Sequence, residues 1–134
     1  MSSDTAVSWL SPKSLHEPRG YSHVAKVQSG SLLFIAGQVA LDSSGKLVGD
    51  ADFRAQAQQT FENLKTAVEA AGGSLRNVVK LNVYLVDVSK LADYRAVRDR
   101  YIDAGHPPAS TVVQVTALFR PEFMIEVEAV AVVS

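Results

Sequence analysis

Met124-Ile125-Glu126-Val127-Glu128-Ala129-Val130-Ala131-Val132 is a run of core-forming side chains interrupted by two carboxylates at a spacing of two. A β-strand turns successive side chains to opposite faces, so Glu126 and Glu128 share one face, roughly 7 Å apart along the strand. A carboxylate facing a wet cleft can activate water. On an antiparallel strand with one solvated face it is an ordinary surface group. What surrounds the two carboxylates decides between these readings.

Upstream, Thr111 to Leu118 reads as another strand, and Val78 to Val86 alternates Val79, Leu81, Val83 and Leu85 against Val78, Lys80, Asn82 and Tyr84. Between them Leu91, Tyr94, Val97, Tyr101 and Ile102 form a helical stripe, with Ser89 as the expected N-cap and Gly105 with Pro107-Pro108 as the stop. A longer helix is expected after Asp52, with Ala57, Phe61, Leu64, Val68 and Ala71 on its apolar stripe and Gly72-Gly73 ending it. Strands flank Gly30, and Asp42-Ser43-Ser44-Gly45 has the composition of a hairpin tip.

The order β-β-α-β-α-β-β describes an α+β domain: a mixed sheet with two helices on one face. The other face, whose candidates include many Val and Ala residues, is left uncovered, and an apolar face of that size belongs to an oligomer interface. Residues 1–19 carry Pro12 and Pro18 among small and polar residues and read as a loosely held N-terminal arm, pinned by Trp9 and Leu10, before a single domain over 20–134.

A length of 134 residues suits one domain with a sizeable core. The net charge of −1 has no broad positive field behind it, which argues against nucleic acid or a membrane surface as partner. With no cysteine, thiolate metal sites, thiol nucleophiles and disulfides are excluded. No apolar run approaches the length of a membrane span, and the first residues are polar, so the expected location is the cytoplasm.

Several motifs have a plain structural reading. His16, His23 and His106 lack the spacing of a zinc site, so no metal is expected. No glycine-rich loop joins a strand to a helix, so no nucleotide cofactor is expected either. Ser110 and Thr111 sit in no nucleophile elbow. Arg95, Arg98 and Arg100 stand among Asp93 and Asp99, the pattern of a solvated helix face. Tyr21 and His23 could share a strand face, where a Tyr is more often packing than chemistry.

Taken together, Gly20-Tyr21-Ser22-His23, Leu33-Phe34-Ile35-Ala36-Gly37-Gln38, Asn77-Val78-Val79-Lys80 through Val86-Asp87, Pro107-Pro108-Ala109 and the closing strand resemble the YjgF/RidA/L-PSP family over nearly the whole length. The resemblance implies a chorismate-mutase-like fold assembled as a barrel-forming homotrimer, with clefts between subunits and no cofactor. It implies that Glu126 positions an attacking water, that Tyr21 and Gly37 line the cleft, and that Glu128 pairs with a surface or interface cation.

The sequence also departs from the family. The enamine/imine deaminases carry an Arg after Pro-Ala that grips the substrate carboxylate by a bidentate pair, and here that position is Ser110. A Cys found nearby in many members aligns with Val112. Losing a charge-assisted pair removes roughly 1.5 to 3 kcal/mol per bond, enough to change substrate class. Arg98 aligns about where many deaminases have an Asn, and it is a candidate for a displaced guanidinium. The expectation is hydrolysis of an enamine, imine or related C=N bond of a small metabolite, with activity on 2-aminoacrylate doubtful. The alternatives are a non-catalytic trimer that binds a small ligand or a partner protein and, less favoured for want of a His pair or basic groove, an endoribonuclease.

Overall fold

The computed structural model describes residues 6–134 and runs β1 (Val7–Leu10), β2 (Val24–Val27), β3 (Ser31–Gln38), α1 (Phe53–Ala70), β4 (Val78–Leu85), α2 (Leu91–Arg98), β5 (Ala109–Gln114) and β6 (Ile125–Val133). Four strands form one sheet in the order β3-β6-β4-β5, with β5 parallel to β4 and the other pairs antiparallel. Strands β1 and β2 form a separate antiparallel pair, with Val7 opposite Val27 and Leu10 opposite Val24. The stretch expected as a loose arm therefore contains a strand, and β2 pairs with it rather than with β3. Pairing satisfies the backbone of a segment too short to announce itself by alternation.

Helix α1 starts where expected: the Asp52 side chain accepts a hydrogen bond from the Ala55 N–H at 3.1 Å. Phe61, Leu64 and Val68 are wholly buried, and each such side chain contributes about 1.5 to 3 kcal/mol before ordering entropy is subtracted. They pack with Tyr94 and Val97 of α2 on Leu81, Val83 and Leu85 of β4 and Ile125, Val127, Ala129 and Ala131 of β6. Both helices thus cover one face of the sheet. Gln56 of α1, fully buried, donates to the Glu122 and Gly49 carbonyls at 2.8 and 3.1 Å and accepts from the Met124 N–H at 2.8 Å, fixing the chain's entry into β6.

Helix α2 departs from expectation at both ends. Asp87, not Ser89, caps the short turn that precedes it, accepting from the Ser89 N–H at 2.9 Å. The helix stops at Arg98, well before Gly105, because the chain turns to stack Tyr101 on Phe61 with ring centroids 5.4 Å apart. That burial outweighs another helical turn.

On the uncovered sheet face Val130 and Val132 stand opposite Phe34, 76 % exposed, and Leu32, and Val113 lies on the same face with Lys80, Asn82, Tyr84, Glu126 and Glu128, while Val127, Ala129 and Ala131 point to the helices. The open face is an aromatic and aliphatic patch next to a polar one. Among the described residues no helix is long and apolar enough to cross a membrane, and no cluster of His, Asp and Glu could hold a metal ion.

Candidate functional site

The register of β4 on β6 sets Tyr84 opposite Glu126 and Asn82 opposite Glu128, all on the open face. Long side chains also reach diagonally across a ladder, and here the diagonal matters. The Tyr84 hydroxyl donates to Glu128 Oε1 at 2.6 Å, and Asn82 Nδ2 donates to the same oxygen at 3.1 Å. Among the described residues of one chain, no cation pairs with Glu128. Sharing its proton with Glu128 pushes the Tyr84 phenol upward, and burial adds to the effect.

Glu126 makes no hydrogen bond to any described residue. Partial burial, and then the charge of Glu128, raise its pKa above the ordinary 4.5. The two carboxylates that spacing alone cannot separate thus differ in environment: Glu128 is held by Tyr84 and Asn82, and Glu126 is free of hydrogen bonds to the described residues.

Gly37 lies directly against the free one. Opposite this stretch β3 bulges between Ile35 and Gln38, and a Cβ on Gly37 would collide with Glu126 Oε2 while standing 2.9 Å from Cδ and 3.0 Å from Cγ. Only a residue without a side chain lets the carboxylate rest here. The loop beyond is tied down by Asn63 of α1, whose Nδ2 donates to the Val39 and Leu41 carbonyls, both at 3.0 Å.

The remaining expected residues gather elsewhere. Ser110 and Val112 pair with Leu81 and Val83, so they face the helices, on the opposite side of the sheet from Glu126. Ser110 lies beside the Tyr94 hydroxyl, which makes no well-formed hydrogen bond; burial pushes that phenol far up, offset in part by the nearby Arg98 charge. Arg98, expected on a solvated face, is only 8 % exposed. Its guanidinium lies 5.9 Å from the Tyr94 ring centroid and donates from Nε and Nη2 to Asp99 Oδ1 at 3.1 and 2.9 Å.

Tyr21 joins Arg98 in lining a cavity of about 610 Å³ that also includes Gly20, Arg95 and Pro107. Ser22 holds this wall in place by donating from N to the Pro108 carbonyl at 3.1 Å and from Oγ to the Pro107 carbonyl at 2.6 Å. The Tyr21 hydroxyl is 2.6 Å from His16 Nε2, and His23 Nε2 is 2.7 Å from the His16 carbonyl. The Tyr21 and His23 rings meet edge to face in a loop rather than on a strand. The sequence pairs His23 with Tyr21 but gives no sign of His16, which reaches Tyr21 only through the fold of the loop.

The expected site residues therefore fall into two groups on one chain. Glu126 with Gly37 lies on the open face, and Tyr21, Arg98 and Ser110 lie by the helix-side edge at β5. A model of the family described as endoribonuclease L-PSP matches residues 12–133. The chain belongs to the YjgF/RidA/L-PSP family. A Rid-family protein of Yersinia pestis superposes with a TM-score of 0.85 at 35% identity, covering 96% of this chain and 99% of that one. A 2-iminobutanoate/2-iminopropanoate deaminase of Salmonella typhimurium is 34% identical over 82% of this chain and 86% of its own length. The structure of E. coli TdcF with bound serine matches with a TM-score of 0.70 at 32% identity, over 81% of this chain and 85% of that one.

Proposed function

We propose that this Rid-family protein hydrolyses the C=N bond of a small metabolite in a cleft completed by two copies of the chain, with Glu126 positioning and deprotonating the attacking water. The observation that carries this reading is the contrast between the carboxylates. Glu128 is engaged by Tyr84 and Asn82, whereas Glu126 lies unbonded over Gly37 with its pKa raised by burial and by the Glu128 charge, the direction that strengthens a carboxylate as a general base. The water's proton passes to Glu126 as its oxygen attacks the carbon of the C=N bond. The carbinolamine so formed collapses to a carbonyl with loss of ammonia, which takes up the proton.

The separation of the two groups supports a cleft between subunits. Glu126 and Gly37 face away from the helices while Tyr21, Arg98 and Ser110 sit beside them, so a ligand touching both groups needs the edge of a second copy. The patch of Leu32, Phe34 and Val113 next to Glu126 offers apolar area for that association, and we assign it to a homotrimer.

Mixed assemblies test this arrangement. A trimer containing Glu126→Gln and Tyr21→Ala chains holds one cleft in which both residues are intact, so co-assembly should recover turnover that neither variant has alone. No recovery would mean that the residues act within one chain or not together. The serine found in TdcF favours a second reading, in which the same cleft binds an amino-acid-like ligand without turning it over. That reading predicts ligand binding with no imine hydrolysis above the uncatalysed rate.

A further inference from the structure

Tyr21 lines the cavity beside helix α2, and its hydroxyl lies 2.6 Å from His16 Nε2. His16 belongs to no strand or helix and does not line that cavity, so the reaction proposed above makes no use of it. The loop nevertheless fixes its place. His23 Nε2 bonds the His16 carbonyl at 2.7 Å, and the His23 N–H donates to Ser11 Oγ at 3.2 Å. The His23 ring meets the His16 and Tyr21 rings edge to face, with centroids 4.7 and 5.5 Å away.

These partners decide where the protons sit. A carbonyl only accepts, so His23 carries a proton on Nε2. Between His16 and Tyr21 either group could donate, and two facts select the phenol. An unprotonated imidazole nitrogen is a far stronger base than a phenol oxygen, and a phenol is a stronger acid than a neutral imidazole N–H. The separation of 2.6 Å also suits an O–H donor, since N–H donors seldom approach oxygen closer than about 2.7 Å. The neutral His16 ring therefore keeps its one proton on Nδ1, where the exposed side chain can give it to water.

A phenol has one proton and two lone pairs. We propose that His16 is a positioning residue that acts through Tyr21: its Nε2 takes the phenolic proton, so Tyr21 turns only lone pairs to the cavity and accepts the N–H of the bound substrate. The role in catalysis rests on the hydrolase reading, for which the N–H of an imine and then of the carbinolamine is the matching donor. When His16 takes a second proton, its Nε2–H donates to the phenol, and Tyr21 offers its own proton to the cavity instead. His23 packs on the pair, Glu17 follows His16 in the chain, and Arg19, Arg95, Arg98 and Asp99 line the cavity with Tyr21.

Imidazole nitrogen NMR of the assembled protein reads the proton positions without any turnover: neutral His16 should be protonated on Nδ1 and His23 on Nε2. His16→Phe keeps a ring at this exposed position and removes the acceptor. It should lower kcat/KM for generated imines roughly three- to tenfold, the effect of one neutral hydrogen bond, with the melting temperature unchanged. His16→Gln puts an amide oxygen where Nε2 stands and should keep wild-type kcat/KM at neutral pH. As the pH falls, the wild type should lose ground to His16→Gln, because only the imidazole gains a proton and reverses the bond. The Glu126 limb is common to both proteins and cancels in their ratio.

A neutral His16 ring protonated on Nε2 would overturn the assignment whether or not the protein turns imines over. With turnover present, full kcat/KM in His16→Phe, an equal loss in His16→Gln, or a ratio that does not change with pH would each overturn it as well. No imine hydrolysis by the wild type, with His16 protonated on Nδ1, would sink the hydrolase reading and leave the Tyr21 hydroxyl fixed as an acceptor.

Discussion

Replacing Gly37 by Ala adds one methyl group where Glu126 now rests. The added carbon would lie 2.9 Å from Glu126 Cδ and 3.0 Å from Cγ, against an ordinary contact of about 3.5 to 4 Å, so the carboxylate must retreat by roughly 0.5 to 1 Å. Glu126 has a flexible side chain and no hydrogen bonds to lose, so the retreat should cost little stability, about 1 kcal/mol or less and a few degrees in melting temperature. Catalysis is far less tolerant. A 1 Å misplacement of a positioned group costs on the order of 100-fold in rate. The assay is hydrolysis of imines generated in situ by an amino-acid oxidase, followed by ammonia release, with melting temperature and light scattering as controls. Full turnover in a folded Gly37→Ala protein would refute the claim that this contact aims the carboxylate.

Three further outcomes follow from the structure. Gln56→Leu leaves the Met124 N–H and the Gly49 and Glu122 carbonyls without their buried partner, so it should destabilise the protein by about 3 kcal/mol and lower its melting temperature by roughly 10 °C; a change within 2 °C would remove Gln56 as the clamp on β6. Phe34→Glu places a charge at the centre of the exposed apolar patch and should yield monomers in multi-angle light scattering, whereas an intact trimer would move the interface elsewhere. Folding raises the Glu126 pKa above 4.5, so its favourable contribution is full below that value and is lost as pH rises through the folded value. Glu126→Gln should therefore be at least as stable as the wild type at pH 7, with the difference gone at pH 4. The acid limb of the activity profile should fall at a pH above that of an ordinary carboxylate; a wild type more stable than the variant at pH 7 would contradict the sign.

The alternation from Val79 to Leu85 and the stripe from Ala57 to Val68 were legible because each repeats with the period of its element, so sheet, long helix and their contact follow from pattern alone. Strand β1 was not, since Val7–Leu10 is four residues long and gains its partner only across a loop. Arg98 reads as solvent-facing by its own neighbours, and what buries it is Gly20, far away in sequence. Register separates Glu126 from Glu128: the partners are Tyr84 and Asn82 on β4, and no property of β6 itself announces them. The same register turns Ser110 away from Glu126, so residues that a linear motif suggests as one site are divided between two sides of the sheet.

The role of Glu126 is tested most directly by one comparison: turnover of freshly generated imines by the assembled wild type, Glu126→Gln and Glu128→Gln. The account predicts that Glu126→Gln falls to the uncatalysed rate with its assembly intact, and that Glu128→Gln retains turnover while the Tyr84 phenol titrates at lower pH than in the wild type. Reversed effects, or full turnover without the Glu126 carboxylate, would contradict it.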